Sequence, residues 1–313
     1  RWDGDGIMSI VVKNLTHIYN EGMPFSSKAL DNISFEIKDR DFVGLIGHTG
    51  SGKSTLIQHL NGILKPSSGD IYINDFKITD PDLNLTEIRK RVGVVFQYPE
   101  YQLFEETIEK DIAFGPSNLG LEEEEIKNRV KLSMEAVGLD YESFKDKSPF
   151  ELSGGMARKV LLSTALVSDC KVIIADEPTP GLDEKSLNEA LKDFRNIADS
   201  GCAILMITHD IEAALKIADK IAVFYAGTTL EIANVNDFKG DGKNLRHPYS
   251  KALFNALPQN GFKPIKGSQP MPNELPKGCL FQDRCEYISE KCRLIRPNAR
   301  MVRDGMVRCL NAT

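Results

Sequence analysis

The sequence predicts an α/β fold with a helical insertion and an irregular C-terminal extension. Seven short runs rich in valine, isoleucine and phenylalanine alternate with stretches of helical periodicity, as strands and helices do in α/β proteins. About 75 mainly helical residues separate the fourth run from the fifth, which is too long for a simple crossover. The predicted strands are ISFEI, DFVGLIG, DIYI, RVGVVF, KVIIAD, CAILMIT and KIAVFY.

Composition indicates where the domains begin and end. Residues 1–7 (RWDGDGI) precede Met8 and have the character of an added leader. The alternating pattern fills residues 8–240, and its helical insertion covers about residues 98–165. Glycine- and proline-rich stretches such as KGDGKN and PQNGFKPIKGSQPMPNELP mark residues 241–313 as an extension.

The bulk composition predicts a cytosolic protein. Apolar residues make up 41% of the chain and charged residues 27%, and no apolar run approaches the roughly 18 residues that span a bilayer. We therefore expect any membrane role to come through a partner. The net charge of −6 is uneven, because residues 241–313 carry an excess of basic side chains. Such a tail can meet nucleic acid, an acidic protein or anionic lipid, or be a solvated face; charge alone leaves these open.

A phosphate-binding loop is predicted directly after the strand DFVGLI. The stretch GHTGSGKS has the spacing G-x-x-x-x-G-K-[ST] between a strand and a helix, so its backbone N–H groups can turn towards phosphate oxygens. Lys53 is expected to neutralise the β and γ phosphates, and Ser54 to hold Mg²⁺. The predicted ATP-binding residues here are Gly47, His48, Thr49, Gly50, Ser51, Gly52, Lys53, Ser54 and Thr55.

A second acidic motif supplies the partner of this loop. The buried strand KVIIAD ends in Asp176, which is placed to hold Mg²⁺ through water. Glu177 follows and is suited to orient the attacking water. An apolar strand that ends in Asp-Glu is a weak signal alone and a strong one after a phosphate-binding loop.

Together with LSGG before a helix, these motifs resemble the ATPase domain of ATP-binding cassette (ABC) transporters. The resemblance covers residues 8 to about 240 and implies a P-loop NTPase core with an antiparallel β subdomain and an inserted helical subdomain. It implies that Tyr19 stacks on adenine and that Gln97 senses Mg²⁺ and contacts the transmembrane partner. It also implies that His209 contacts the γ-phosphate and that Asp183, in PGLD, lies at a dimer interface.

The same resemblance implies a head-to-tail dimer on two ATP molecules. Ser153, Gly154 and Gly155 of one chain would lie on the γ-phosphate held by Lys53 of the other. Glycine suits this position because a Cβ would obstruct the approach. Each chain carries both halves of the site, so a homodimer would have two competent sites, although related ATPases often pair with a non-identical partner.

Two subgroups of the family share the resemblance. Residues 8–155 resemble the ATPases of energy-coupling factor importers, which power cobalt, nickel or vitamin uptake. Residues 156–313 resemble those of oligopeptide, dipeptide and nickel importers, because Met156 follows LSGG and HPYSKALFNALP precedes a cysteine tail. The chain thus has the character of a hybrid with a seam near Gly155. Natural recombination, construction and divergence within one subgroup all remain open.

The cysteines are concentrated near the C-terminus. Cys170 and Cys202 adjoin predicted strands and are expected to be small core residues. The other four have the spacing C-x5-C-x6-C-x16-C, which differs from the C-x2-C pairs of structural zinc sites. The resemblance to peptide importers implies a [4Fe–4S] cluster, while zinc and plain thiols stay open. These residues are Cys279, Cys285, Cys292 and Cys309.

The function that follows is an ATP-hydrolysing subunit of a membrane importer, peripheral on the cytoplasmic face of the membrane. The aromatic stretch YPEYQLFEETIEKDIAFGP after Gln97 suits a groove for a transmembrane subunit. We expect an energy-coupling factor type partner because residues 97 to about 150 lie on that side of the seam. A peptide or nickel importer is the alternative, and a soluble ABC ATPase a weaker one. ATP and Mg²⁺ are the expected cofactors, and no nucleic acid is expected.

Overall fold

The computed structural model describes residues 8–98 and 101–312, so the leader predicted at residues 1–7 lies outside the described residues. The strands are β1 (Met8–Tyr19), β2 (Ser27–Lys38), β3 (Phe42–Gly47), β4 (Ser68–Ile73), β5 (Phe76–Lys77), β6 (Val92–Val95), β7 (Val172–Asp176), β8 (Ala203–Thr208), β9 (Lys220–Tyr225), β10 (Thr228–Asn234), β11 (Arg300–Val302) and β12 (Gly305–Val307). The helices are α1 (Lys53–Leu60), α2 (Leu85–Arg89), α3 (Ile108–Asn118), α4 (Glu123–Ala136), α5 (Tyr141–Phe144), α6 (Gly154–Leu166), α7 (Glu184–Asp199), α8 (Ile211–Ile217), α9 (Pro248–Ala256) and α10 (Glu290–Leu294). All seven predicted runs fall on strands, which confirms the α/β class.

The larger sheet has the strand order β11-β12-β10-β9-β3-β8-β7-β6. Its centre, from β9 to β6, is parallel. All residues of β3 and β8 are buried, as expected for parallel strands covered on both faces. The carboxyl ends of β3, β7 and β8 lie at one edge, so the segments that follow them meet there.

The smaller sheet is antiparallel, with the order β2-β1-β4-β5. Its inward residues, such as Ile10, Val12 and Leu15, share an apolar cluster with Leu56 of α1. This packing holds the end of β1, where Tyr19 lies, close to the helix that follows the phosphate-binding loop. The sheet corresponds to the antiparallel subdomain that the family resemblance implies.

Helices α3 to α6 separate β6 from β7, as the long helical stretch predicts. Thr107 caps α3 by accepting a hydrogen bond from the N–H of Lys110 at 3.3 Å. Helix α4 carries Glu123, Glu124 and Glu125 in its first turn, where negative charge favours the helix dipole. The boundaries of this subdomain, about residues 98–165, stay a prediction.

The C-terminal extension is less separate from the core than its composition predicts. It contains long irregular stretches, but β12 pairs antiparallel with β10 and so lengthens the larger sheet. Cys279, Leu280 and Phe281 are buried in the main apolar cluster together with residues of the parallel sheet. The extension that composition marks as irregular is thus partly packed into the core. Strand pairing over such sequence distances leaves no local pattern to detect.

A buried ion pair joins the extension to the ATPase core. Glu231 in β10 is fully buried and accepts hydrogen bonds from the backbone N–H groups of Arg246 and His247 at 2.9 and 2.8 Å. The Arg246 guanidinium lies 3.3 Å from Glu231 and 2.8 Å from Asp237. These charge-assisted hydrogen bonds fix the chain direction at the start of the extension.

Acid should weaken this junction through His247. Its Nδ1 accepts the N–H of Tyr249 at 2.9 Å and caps α9, and burial lowers the pKa of His247 from 6.5 to about 3. The unfolded chain therefore binds the proton more tightly than the folded one. The contribution of His247 to folding stability is fully present above its unfolded pKa of 6.5 and declines as the pH falls below that value. We expect a loss of about 2 kcal/mol between pH 7.5 and 5 from this group.

Urea unfolding at several pH values tests this expectation. His247→Asn keeps a capping oxygen but cannot ionise, so its stability should fall less steeply with acid than that of the parent chain. Parallel pH profiles for the two proteins would contradict the assignment to His247.

Candidate active site

The loop between β3 and α1 wraps around the side chain of Lys53. Gly52 has a φ of 102°, and a Cβ there would lie 2.6 Å from the carbonyl oxygen of Ala29, so this position requires glycine. The Lys53 amine donates hydrogen bonds to the carbonyl oxygens of Gly47 at 2.5 Å and His48 at 3.0 Å. The loop thereby holds a positive charge at the N-terminus of α1, which favours anions.

Lys53 and two carboxylates face the same space. Burial lowers the pKa of Lys53, and the nearby Glu177 and Asp176 oppose this shift. Burial also raises the pKa of Asp176. The negative charge of Glu177 raises this pKa further, and the positive charge of Lys53 lowers it. A bound phosphate would place negative charge beside Lys53, and its divalent cation would place positive charge beside Asp176.

Glu177 is fixed by the segment after β8. Its carboxylate accepts hydrogen bonds from the hydroxyl of Thr208 at 3.0 Å and the backbone N–H of His209 at 3.1 Å. Nδ1 of His209 lies 2.8 Å from the same carboxylate. Only 14% of the Glu177 side chain is exposed, against 62% for His209. This pair can therefore present an oriented carboxylate and an accessible imidazole to a substrate.

These groups line a cavity of about 490 Å³. It brings together most of the residues that the sequence predicts, namely Tyr19, Thr49, Gly50, Gly52, Lys53, Ser54, Thr55, Gln97, Asp176, Glu177 and His209. The hydroxyl of Tyr19 lies 3.2 Å from that of Thr55. Gly47, His48 and Ser51 do not line the cavity; they shape the loop, and Ser51 is buried.

Several residues of the cavity wall escaped the sequence analysis. They come from β2, from the turn between β9 and β10, and from the C-terminal extension, and are Ser27, Lys28, Ala29, Ala226, Gly227, Gln269, Pro270, Pro272 and Leu275. The turn has one local signal, because Ala226 and Gly227 both have positive φ, as hairpin turns require. No pattern in the sequence indicates that the extension reaches this cavity.

The LSGG stretch lies apart from the cavity. Ser153 caps α6 by accepting the N–H of Met156 at 3.4 Å, and Ser153 and Gly155 line a different cavity. A Cβ on Gly154 would meet nothing within 4 Å, and its φ is not positive. The chain's own fold therefore gives no reason for glycine at Gly154, which is consistent with a close approach to another molecule.

Asp183 also lies outside this cavity. It caps α7 and accepts the N–H of Ser186 at 2.8 Å, a hydrogen bond that lowers the pKa of Asp183. Its carboxylate is thus held by its own helix, and an interface role stays a prediction.

The donor set of the cavity fits Mg²⁺ bound together with phosphate. Ser54, Gln97 and Asp176 all contribute oxygen-bearing side chains to it. Mg²⁺ prefers oxygen ligands and usually binds through one or two carboxylates plus phosphates and water. The predicted Mg²⁺ ligands therefore meet in one place.

All six cysteines are free thiols. Cys170 and Cys202 are each 7% exposed in the core, as the sequence predicts. Burial raises the pKa of Cys279 to about 11, and the thiols of Cys285, Cys292 and Cys309 add to this shift, so the four lie within electrostatic range of one another. Yet among residues 8–98 and 101–312, no three His, Cys, Asp or Glu side chains are grouped to hold a metal ion.

Comparison with known proteins identifies the family. The pattern of the family described as ABC transporter matches residues 30–180, and that of the oligopeptide/dipeptide transporter C-terminal region matches residues 230–292. The chain is 62% identical over 262 residues to the energy-coupling factor transporter ATP-binding protein EcfA2 of Clostridioides difficile (strain 630), covering 82% of this chain and 91% of that protein. The chain therefore belongs to the ABC transporter ATPases, a family that hydrolyses ATP.

A second relative and two solved structures support the same family assignment. EcfA2 of Lactobacillus acidophilus is 40% identical over 83% of this chain and 92% of its own length. The solved structure of cbiO1 from Clostridium perfringens, part of the ABC transporter complex cbiONQ, aligns with a TM-score of 0.67 at 35% identity, over 75% of this chain and 90% of that one. The dimeric bacterial ABC transporter cassette MJ0796 aligns with a TM-score of 0.62 at 28% identity, over 72% and 98%.

These matches bear on the predicted seam. An alignment that covers 82% of the chain has to run through Gly155, so the similarity to EcfA2 continues past that residue. The match to the peptide-transporter extension begins only at residue 230.

Within the described residues, no helix is long and apolar enough to cross a membrane.

Proposed function

We propose that the chain is the ATP-hydrolysing subunit of an energy-coupling factor importer, peripheral on the cytoplasmic face of the membrane. The observation that carries the proposal is the cavity in which Lys53, Asp176 and Glu177 meet, with LSGG outside it. The two halves of a site are therefore apart within one chain, and a second chain is needed to bring them together. The similarity to EcfA2 over most of the chain supports the energy-coupling factor class. The cargo we propose is cobalt, nickel or a vitamin.

Six residues of the cavity have distinct proposed parts in hydrolysis. Lys53 and the loop N–H groups would bind the phosphates, and Ser54, Gln97 and Asp176 would hold Mg²⁺, which would supply positive charge next to the phosphate oxygens. Glu177, held by Thr208 and His209, orients and polarises the attacking water. The proposed role of His209, whose imidazole is exposed, is to contact the γ-phosphate.

The second chain completes the site. Head-to-tail closure would bring Ser153, Gly154 and Gly155 of the partner onto the phosphate, with the N-terminus of α6 facing the anion. Either a second copy of this chain or a related ATPase subunit can supply that surface.

Exposed aromatic side chains support docking to a transmembrane subunit. Tyr101 and Phe104 are 83% and 56% exposed, and Phe114 packs edge-to-face on Phe104 with ring centres 4.8 Å apart. Contiguous exposed apolar groups of this kind mark interaction surfaces. Tyr98 belongs to the same stretch, while residues 99 and 100 lie outside the described residues.

Capture by purified transmembrane subunits tests the proposal. The parent chain should bind an energy-coupling factor type subunit and bind a peptide-importer type subunit more weakly. Phe104→Ser should reduce capture, whereas Phe262→Ser, which changes an even more exposed aromatic in the extension, should not. Stable capture by the peptide type alone would favour the alternative supported by residues 230–292. Binding to neither would favour a soluble ABC ATPase.

For the extension, we propose that the four cysteines bind a [4Fe–4S] cluster. Support comes from four thiols within electrostatic range, since thiolate ligands suit iron–sulfur chemistry. As placed, the thiols do not form a ligand set, and Cys292 instead lies 3.2 Å from the hydroxyl of Ser289. Iron and acid-labile sulfide, measured after anaerobic purification of the parent and Cys285→Ser, test this. Zinc in their place, or no metal, would refute it.

A further inference from the structure

The segment 269–275 of the C-terminal extension, here called the strap, forms part of the wall of the nucleotide cavity. Gln269, Pro270, Pro272 and Leu275 line the same space as Tyr19 and the phosphate-binding loop. The strap lies more than 200 residues after that loop in the sequence. The extension thus contributes directly to a cavity that otherwise belongs to the ATPase core.

One side chain joins the strap to the phosphate-binding loop. The amide oxygen of Gln269 accepts the backbone N–H of Ala226 at 3.2 Å, and its amide nitrogen donates to the carbonyl oxygen of Gly50 at 3.5 Å. The turn that contains Ala226 is itself held to the loop, because the N–H of Gly227 donates to the carbonyl oxygen of Ser51 at 2.8 Å. Gln269 therefore bridges two segments of the cavity wall.

An arginine holds the strap at each end. At the start of the strap, the side chain of Arg284 donates to the carbonyl oxygen of Lys266 at 2.8 Å. The same side chain lies 3.4 Å from the hydroxyl of Tyr225 in β9. After the strap, Arg296 donates to the carbonyl oxygen of Pro276 at 2.5 Å and to the carboxylate of Asp31 in β2 at 2.5 Å. Both arginines thus connect the extension backbone to strands of the core.

Packing alone does not explain the position of the strap. None of residues 269–275 is buried, and Leu275 packs only partly buried against the main apolar cluster. Pro270 and Pro272 restrict its backbone, which reduces the entropy lost when it forms a fixed wall. A segment that is restrained, accessible from the cavity and hydrogen-bonded to the phosphate-binding loop is suited to contact a ligand.

We propose that the strap is a nucleotide-binding element, through which the C-terminal extension sets the affinity of the site for ATP. The proposal rests on the proposed function, since it takes the cavity to be the ATP site. Gln269 fixes the strap against the loop, and Arg284 and Arg296 are positioning residues that hold its two ends. Weakening any of them should loosen the wall and let nucleotide dissociate more easily.

Equilibrium binding of ATP to the full chain, in the presence of Mg²⁺, tests the proposal. Gln269→Ala removes two hydrogen bonds and should weaken ATP binding by about threefold to tenfold. Gln269→Glu cannot donate to Gly50 and adds negative charge near the phosphates, so its loss should be larger. Arg296→Met should also weaken binding, and Arg296→Lys should restore part of the loss. Gln259→Ala, an exposed glutamine outside the cavity, is the matched control.

Lys53→Ala separates failure of this proposal from failure of the proposed function. If the parent chain does not bind ATP, or Lys53→Ala binds as the parent does, the cavity is not the ATP site and the proposed function fails. If Lys53→Ala loses binding while the Gln269 and Arg296 variants bind as the parent does, the strap has no part in binding. Tighter binding by these variants would show that the strap obstructs nucleotide, which also overturns the proposal. Thermal unfolding confirms that each variant is folded.

Discussion

Replacing Glu177 with Gln should lower ATP turnover by at least about a hundredfold. This is the lower end of the range for general acid–base catalysis by one side chain. The amide keeps the volume and can still accept a hydrogen bond from His209 or Thr208, but it loses the negative charge that polarises water. Binding of ATP should change little, because Lys53 and the loop are untouched. Phosphate release and equilibrium ATP binding measure the two effects.

The matched control for this prediction is Glu212→Gln. Glu212 is an exposed carboxylate in the first turn of α8, close in sequence to His209 but outside the cavity. Its turnover should equal that of the parent. The role of Glu177 would be refuted by a Glu177→Gln variant that hydrolyses ATP at nearly the parent rate.

Replacing Gly154 with Ala should abolish ATP-dependent dimer closure while leaving the single chain intact. A Cβ there has open space in the chain's own fold, and alanine favours helix over glycine. In the closed dimer the same Cβ would stand between α6 and the partner's phosphate. Turnover should fall by about a hundredfold, since a misplacement of roughly 1 Å can cost that much.

Light scattering in the Glu177→Gln background measures closure. With ATP, Glu177→Gln alone should give twice the monomer mass of 34.8 kDa, and adding Gly154→Ala should return it to the monomer mass. Gly115→Ala, in the interior of α3, has ordinary space for its Cβ and is the matched control. A strictly monomeric Glu177→Gln would point to a different ATPase subunit as the partner. Persistent dimers with Gly154→Ala would contradict the predicted contact.

The site could be predicted from the sequence where its residues follow strands. Lys53, Asp176 and His209 each lie just beyond a buried apolar run, and parallel strands bring such positions to one edge. The spacing of the motifs along the chain is therefore enough to predict that these residues lie close together. Asp183 and LSGG are different, because their predicted partner is another chain and one chain's fold cannot bring them to the cavity.

Some features left no local signal in the sequence. Glu177 has a φ of 48°, an uncommon conformation that turns its carboxylate towards Thr208 and His209, and nothing in ADEP predicts it. The predicted seam at Gly155 rested on one residue after LSGG and on the tail. The similarity to EcfA2 continues beyond Gly155.

By itself, the sequence determined the α/β class, the phosphate-binding loop, the acidic strand end and the family, because each depends on residues that are neighbours along the chain. The tertiary structure alone decided that the extension joins the core. The pairing of β12 with β10 and the contact of Gln269 with Gly50 connect positions far apart in sequence. Such contacts depend on how loops close and strands register, and composition predicts only that the extension is irregular.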